Sequence, residues 1–148
     1  MAEQVVLVKK KKGICTLTLS RSHMIMNAFN MPMGLQLQEG LEEAASDDDI
    51  RVAVLEGAGG HFSAGADMFL LREASGAPEC LDFLKGLARL IRTMRELPIP
   101  IICKVRGVAY GLGANIALAG DFVVASLDAR FCEVFVNIGV ILDGGGTY

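Results

Sequence analysis

The chain has 148 residues, of which 52% are hydrophobic and 21% charged, and its formal net charge is −3 at pH 7. This length predicts a single domain over residues 1–148, and the acidic balance argues against general nucleic-acid binding. No run of about 18 uncharged apolar residues predicts a membrane span. The four cysteines lack the paired spacing of metal ligands, and no N-terminal signal is recognisable, so we expect no metal site and a reduced, cytoplasmic protein. The mean hydropathy of +0.43 predicts apolar faces that other subunits or further chain would cover.

Short strands and a helix are predicted in the first third of the chain. The segment "QVVLVKKKKGICTLTLS" favours two strands around a Lys-Gly turn. Asn30 can cap a helix that has Pro32 in its first turn and continues through "MPMGLQLQEGLEEAAS". Leu35, Leu41 and Ala45 are its expected buried stripe. The next segment, "RVAVLEG", predicts a short buried strand.

The remaining segments continue this alternation. The glycine-rich stretch "GAGGHFSAGAD" precedes a short helix predicted from about Asp67. Pro78 begins a long amphipathic helix, "PECLDFLKGLARLIRTMREL", followed by a strand in "PIPIICKV", a helix from near Leu112 and a strand in "DFVVAS". The expected apolar stripe of the long helix consists of Leu81, Leu84, Leu87, Ala88, Ile91 and Met94. Alternating strands and helices predict an α/β fold with right-handed crossovers.

Two loops have the same design: a buried strand, then small residues, then a helix. They are "GAGGHFSAGAD" and "RGVAYGLGAN". Neither contains the phosphate-binding pattern or the dinucleotide fingerprint. Helix starts leave amide groups unpaired, and small residues allow a ligand to approach the backbone. The two loops could therefore converge on one anionic oxygen, and ordinary turn chemistry with close helix–sheet packing remains the alternative.

Four segments in order, "SRSHMIMNAFN", "HFSAGADM", "VRGVAYGLGANIALAGD" and "ARFCEVFVNIGVILDGGGT", resemble the crotonase, or enoyl-CoA hydratase/isomerase, superfamily. The resemblance implies a spiral α/β fold of ββα units, with the family's C-terminal helical region absent from these 148 residues. It also implies a homotrimer or a dimer of trimers that acts on acyl-CoA thioesters. Coenzyme A would be part of the substrate, so no separate cofactor is expected.

Residue by residue, the resemblance makes Ala64 the first backbone donor to a thioester oxygen and Leu112 the second. It makes Asp67 a loop residue that is more structural than catalytic. The residues that would line the coenzyme A site are Met24, Met26, Ala28, Ala66 and Met68, and Asp67 is expected among the other substrate-binding residues.

Departures from the family indicate the subtype. Where hydratases of the family carry two glutamates, this chain has Asn115 and Phe135, both expected near the substrate. Glu133 is interpreted as a surface acid. Asp143 stands where an isomerase branch of the family has its acid/base aspartate. Without a second carboxylate nearby, it would shuttle a proton between two carbons of an enoyl-CoA.

Other interpretations stay open. One alternative is that Asp143 belongs only to an Asp-Gly turn. Two others are a hydratase whose water-activating group is a different residue, and a non-catalytic remnant that binds acyl-CoA or oligomerises. Nucleophilic attack by the aspartate ranks low because the dehalogenases that use it have a tryptophan near the reacting carbon, and this chain has none.

Overall fold

The computed structural model of the protein describes residues 3–21, 26–69 and 77–147. The α/β class predicted from the sequence is confirmed. Within the described residues, the strands are Val6–Lys11 (β1), Ile14–Leu19 (β2), Val52–Gly57 (β3), Ile101–Val105 (β4), Val108–Tyr110 (β5), Phe122–Ala125 (β6) and Arg130–Cys132 (β7). The helices are Met31–Ala45 (α1), Ala77–Glu96 (α2) and Leu112–Ala119 (α3), and a 3₁₀ helix covers Val134–Ile138.

A five-stranded sheet in the order β1-β2-β3-β4-β6 forms the centre of the fold. β1 and β2 form an antiparallel hairpin, and the other neighbours are parallel. The hairpin turn consists of Lys12 and Gly13, both with positive φ (50° and 81°), as two-residue hairpin turns require. Parallel neighbours need long crossovers, which α1, α2 and α3 supply.

A second, smaller sheet pairs β5 with β7 in parallel. The sequence did not predict these two strands because each has only three residues, too few for a periodic pattern. Two isolated bridges join the glycine-rich loop to its surroundings: Ser63 pairs with Ala109 in β5, and Phe29 pairs with Ala66. The Ser63–Ala109 bridge brings the first glycine-rich loop beside the second.

Helix α1 packs on the sheet through a face that differs from the predicted stripe. Its buried residues are Met33, Leu37, Gly40, Leu41 and Ala44. Leu35 is 49% exposed, so its predicted burial is wrong. The reason is angular, because a residue two positions after Met33 lies on nearly the opposite side of a helix with 3.6 residues per turn.

Helix α2 has two apolar faces. Its core face consists of Phe83, Leu87, Leu90 and Met94, so the prediction was right for Leu87 and Met94. Leu81 and Leu84 are half exposed, and their predicted place in the core is wrong. Leu84 and Ala88 instead line a cavity, described below. In the described part of the chain, no helix is long and apolar enough to cross a membrane.

Candidate active site

The two glycine-rich loops meet through backbone hydrogen bonds. The Tyr110 amide donates to the Ser63 carbonyl at 3.0 Å, and the Ser63 amide donates to the Val108 carbonyl at 3.0 Å. Gly65 has φ +98°, and a Cβ added there would lie 2.7 Å from the Tyr110 carbonyl oxygen. Only glycine permits this approach. The loops therefore converge, as their design predicted.

A buried asparagine that the sequence did not single out holds the first loop. Asn27 is fully buried and has φ 57°. Its side-chain amide donates to the Ala58 and His61 carbonyls at 2.9 Å each, and its Oδ1 accepts from the Arg21 amide at 2.9 Å. Asparagine tolerates the left-handed region and can satisfy several backbone groups at once, which suits it to this position.

The backbone geometry corrects the predicted first amide donor. The Ala64 amide already donates to the Met26 carbonyl at 2.9 Å, so it is not available to a ligand. The Ala66 amide instead has no acceptor among the described residues. Its neighbours bond to Phe29, because Phe29 donates to the Gly65 carbonyl at 2.7 Å and accepts from the Asp67 amide at 2.8 Å. In a parallel bridge, the residue between the two bonded neighbours directs its amide away from the other segment. The Ala66 amide therefore points away from Phe29.

The second amide is that of Leu112, the first residue of α3. Helix starts have unpaired amides, and that of Leu112 has no acceptor among the described residues. Gly111 precedes it with φ 48° and donates to the Cys132 carbonyl at 2.8 Å, which fixes the turn. A Cβ added at Gly65 would lie 3.6 Å from the Leu112 nitrogen. The two free amides therefore belong to adjoining loops and could bind one anionic oxygen.

An apolar cavity of about 650 Å³ lies against both loops. This volume is within the usual range for small-molecule sites. The predicted site residues that line it are Ala64, Ala66, Met68, Leu112, Phe135 and Asp143. The sequence did not predict the contribution of α2 and of the segment after β7, which supply Cys80, Phe83, Leu84, Ala88, Val134, Ile138, Val140, Ile141 and Leu142. The cavity could hold an uncharged acyl or aryl group.

Several predicted site residues lie elsewhere. Ala28, Asp67 and Asn115 are buried and do not line the cavity, so the structure does not support their predicted contact with substrate. Met26 is also absent from the cavity lining, but it is 40% exposed and its contact with coenzyme A stays a prediction. Met24 lies outside the described residues.

Asp143 lines the cavity. It is half-buried, and its Oδ1 atom is buried without a hydrogen-bond partner among the described residues. Burial raises the pKa of this carboxyl, and the negative charge of Glu133 raises it further. A carboxylate with a raised pKa and an unsatisfied oxygen is suited to accept and return a proton.

Glu133 precedes the 3₁₀ helix and is exposed, as predicted for a surface acid. Partial burial nevertheless raises its pKa, and its charge acts on Asp143. Glu133 does not line the cavity, but its charge reaches Asp143, so the expectation that Asp143 has no other carboxylate acting on it needs this correction. Among the described residues, no group of three or more His, Cys, Asp or Glu side chains could hold a metal ion.

Comparison with known proteins agrees with this geometry. The family model described as enoyl-CoA hydratase/isomerase matches residues 9–148. The chain is 40% identical to 1,2-epoxyphenylacetyl-CoA isomerase of Escherichia coli, with 98% of the chain and 56% of that protein covered. It is 31% identical to trans-2-decenoyl-[acyl-carrier-protein] isomerase of Streptococcus mutans, with 97% and 55% covered.

A solved structure supports the same family assignment. An enoyl-CoA hydratase from Polaromonas sp. JS666 superposes with a TM-score of 0.90 at 33% identity, and 96% of this chain and 56% of that chain are covered. The fold and the site define a crotonase-type α/β protein. The chain belongs to the enoyl-CoA hydratase/isomerase family. It spans about half the length of the curated relatives it matches.

Proposed function

We propose that this chain carries the proton-transfer site of an isomerase that moves a double bond in an acyl-CoA thioester. One observation carries the proposal: Asp143, Ala66 and Leu112 line one apolar cavity, and among the described residues the Asp143 Oδ1 atom and the amides of Ala66 and Leu112 have no hydrogen-bond partner. A base and two oxyanion donors around one apolar space are the groups that enolate chemistry needs.

The reaction follows from these positions. The Asp143 carboxylate removes a proton from C2 of a 3-enoyl thioester, and the electron pair moves onto the thioester oxygen. The Ala66 and Leu112 amides donate to that oxygen while it carries negative charge. Asp143 then returns the proton to C4, the double bond forms between C2 and C3, and the thioester carbonyl is restored. No other reactant is consumed.

The names of the relatives support a thioester substrate, since one relative is an isomerase of a CoA thioester and another of an acyl-carrier-protein thioester. Asn115 and Phe135 also support isomerisation over hydration. They stand where the family's hydratases have their two glutamates, and neither side chain can activate water as a carboxylate does.

Hydration is the second candidate, and Glu133 favours it. Its charge acts on Asp143, and although Glu133 does not line the cavity in this structure, it is the second carboxylate that influences the site. The related solved structure from Polaromonas is called an enoyl-CoA hydratase.

The deciding experiment incubates the chain with a 3-enoyl-CoA in D₂O and follows the acyl protons by NMR, beside Asp143→Asn. Isomerisation predicts migration of the double bond, with deuterium at C4 only to the extent that the proton on Asp143 exchanges with D₂O before its return, and a loss of about 10²- to 10⁴-fold in rate in Asp143→Asn. Appearance of a 3-hydroxyacyl-CoA would replace the isomerase proposal by hydration. Binding without reaction would favour a non-catalytic acyl-CoA-binding protein.

We also propose that the chain assembles with other copies of itself. Large apolar side chains near and after β6 are exposed, with Phe122, Leu127, Val136 and Ile141 more than 60% accessible. Such a surface favours association in water. Size-exclusion chromatography with light scattering measures the assembly, and a monodisperse monomer would contradict it.

A further inference from the structure

Asn115 lies in the first turn of α3 and is only 4% exposed. Its side-chain Nδ2 donates a hydrogen bond of 2.8 Å to the main-chain carbonyl of Asp143. The same carbonyl accepts from the Gly146 amide at 2.9 Å, which closes a turn over residues 143–146. One carbonyl oxygen therefore accepts both the hydrogen bond that forms this turn and the one that joins it to α3.

The turn packs closely on α3 through glycine backbone. A Cβ added at Gly146 would lie 2.6 Å from Asn115 Nδ2, and one added at Gly144 would lie 2.6 Å from Leu112 Cδ1. Across the part of the chain that the structure describes, the Asn115 hydrogen bond is the one that joins residues 143–147 to another element. Losing it would leave the turn attached by apolar contact alone.

Helix α3 thus serves two groups of the site at its first turn. Leu112 presents a free amide there, and Asn115, three residues later, holds the main chain of Asp143. Leu112 and Asn115 both belong to the first turn of α3, so the amide and the hydrogen bond to Asp143 are at the same end of this helix. Helix α3 therefore positions both the Leu112 amide and, through Asn115, the residue that carries the carboxylate, Asp143.

We propose that Asn115 is a positioning residue, whose hydrogen bond to the Asp143 carbonyl fixes the Asp143 carboxylate in the cavity beside the Leu112 amide. The proposal rests on the proposed function, in which Asp143 transfers the proton. It assigns Asn115 a role other than the substrate contact expected from the sequence. Asn115 acts through Asp143 and touches no substrate.

The test compares Asn115→Leu, which nearly keeps the side-chain shape and removes the donor, with Asn115→Ala, which removes the side chain beyond Cβ. Asn137→Leu is the matched control, because Asn137 is exposed and its side chain bonds to no described residue. We expect kcat for a 3-enoyl-CoA to fall about 100-fold in both Asn115 variants, since displacement of a reacting group by about 1 Å has that cost. KM should change little, and Asn137→Leu should match wild type.

Two readouts need no turnover. Hydrogen exchange of the Gly146 amide should accelerate in both Asn115 variants, because the turn loses its tie to α3. A ¹³C-carboxyl titration by NMR should show the pKa of Asp143 moving down toward its ordinary value, because the side chain moves toward water. Gly146→Ala should give the same two changes with Asn115 intact, since the new Cβ displaces the Asn115 side chain.

The outcomes separate the two proposals. If wild type does not isomerise but the exchange rate and the Asp143 titration change as described, positioning by Asn115 stands and the proposed function fails. If wild type is active and the Asn115 variants keep its kcat and its Asp143 titration, positioning is overturned. A folded variant with faster exchange but unchanged titration would also overturn it, because Asn115 would then only stabilise the turn.

Discussion

Arg21 and Asp67 form an ion pair in the interior, with 3.0 Å between Arg21 Nη1 and Asp67 Oδ2. Both residues are more than 90% buried, and Arg21 Nη1 also donates to the Ala28 carbonyl at 2.7 Å. The Asp67 Oδ1 atom accepts from the Phe69 amide at 3.2 Å. Because Ala66 precedes Asp67, this pair holds the loop that presents the free Ala66 amide.

The first prediction concerns this pair. Arg21→Met should lower the free energy of unfolding by about 3–5 kcal/mol, because it removes one partner of a buried ion pair. Lys104→Met is the matched control, since Lys104 and Glu56 form an exposed pair whose loss should cost about 1 kcal/mol or less. Urea unfolding followed by circular dichroism measures both. Equal effects of the two substitutions would contradict the structural role of the Arg21–Asp67 pair.

The second prediction tests the Leu112 amide. Leu112→Pro removes the N–H at the first position of α3, where proline is tolerated in a helix. Leu112→Val reduces the side chain similarly and keeps the N–H. We expect kcat in the proline variant to be about 10²- to 10³-fold below that of the valine variant, the usual cost of one oxyanion donor. Similar kcat values in two folded variants would remove Leu112 from the proposed site.

The third prediction concerns stability and pH. The pKa of Asp143 is raised in the folded state, so the folded protein holds this proton more tightly than the unfolded chain. The stability contributed by this group falls as pH rises from the unfolded value of 3.8 through the raised folded value. Asp143→Asn should therefore unfold at a higher temperature than wild type at pH 7, and the difference should shrink at acidic pH.

Asp128→Asn is the control, because it should change the unfolding temperature at pH 7 in the opposite direction. A hydrogen bond from Ser126 lowers the pKa of Asp128, so that carboxylate contributes stability above its unfolded pKa and loses it as pH falls through the folded value. Its replacement should lower the unfolding temperature at pH 7. Thermal unfolding of wild type, Asp143→Asn and Asp128→Asn at several pH values measures both changes in unfolding temperature. A less stable Asp143→Asn at neutral pH would show that the carboxylate is satisfied in the folded state.

The fourth prediction uses Glu133. Its charge raises the pKa of Asp143, so Glu133→Gln should shift the rising limb of the kcat/KM profile to lower pH. The shift should be smaller at high salt, because Glu133 is exposed and salt screens its field. Glu39→Gln removes the same charge from the exposed side of α1 and should leave the profile in place. If Glu133→Gln instead abolishes hydration of a 2-enoyl-CoA, Glu133 has the hydratase role.

The fifth prediction distinguishes two glycines of α1. A Cβ added at Gly34 meets nothing within 4 Å, so Gly34→Ala should stabilise the protein by about 0.5–1 kcal/mol through helix propensity. A Cβ added at Gly40 would overlap Leu17 Cδ2 in the core, so Gly40→Ala should destabilise it. Denaturant titration of both variants measures whether the free energy of unfolding rises in Gly34→Ala and falls in Gly40→Ala. A stabilised Gly40→Ala would mean that α1 can move away from β2.

Local sequence patterns predicted the helices that have clear start signals, such as a capping residue or a proline in the first turn. The Asn30 cap is present, with its side chain accepting from the Met33 amide at 2.9 Å, and Pro78 lies in the first turn of α2. Periodicity placed α2 correctly but merged two of its faces into one stripe. Hydrophobicity alone cannot distinguish a side chain that faces the core, such as Leu87, from one that lines a cavity, such as Leu84.

The sequence alone determined the α/β class, the family and the two loops of small residues, because these follow from local patterns and ordered motifs. Tertiary structure decided which amides have an acceptor: that of Ala64 donates to the Met26 carbonyl, a contact across the fold, while that of Ala66 has no acceptor among the described residues. It also decided that Asn115 holds Asp143 and that Glu133 acts on it, since these residues are 28 and 10 positions from Asp143 in the chain. Spacing along a chain does not fix such distances, because they depend on how the strands and helices pack.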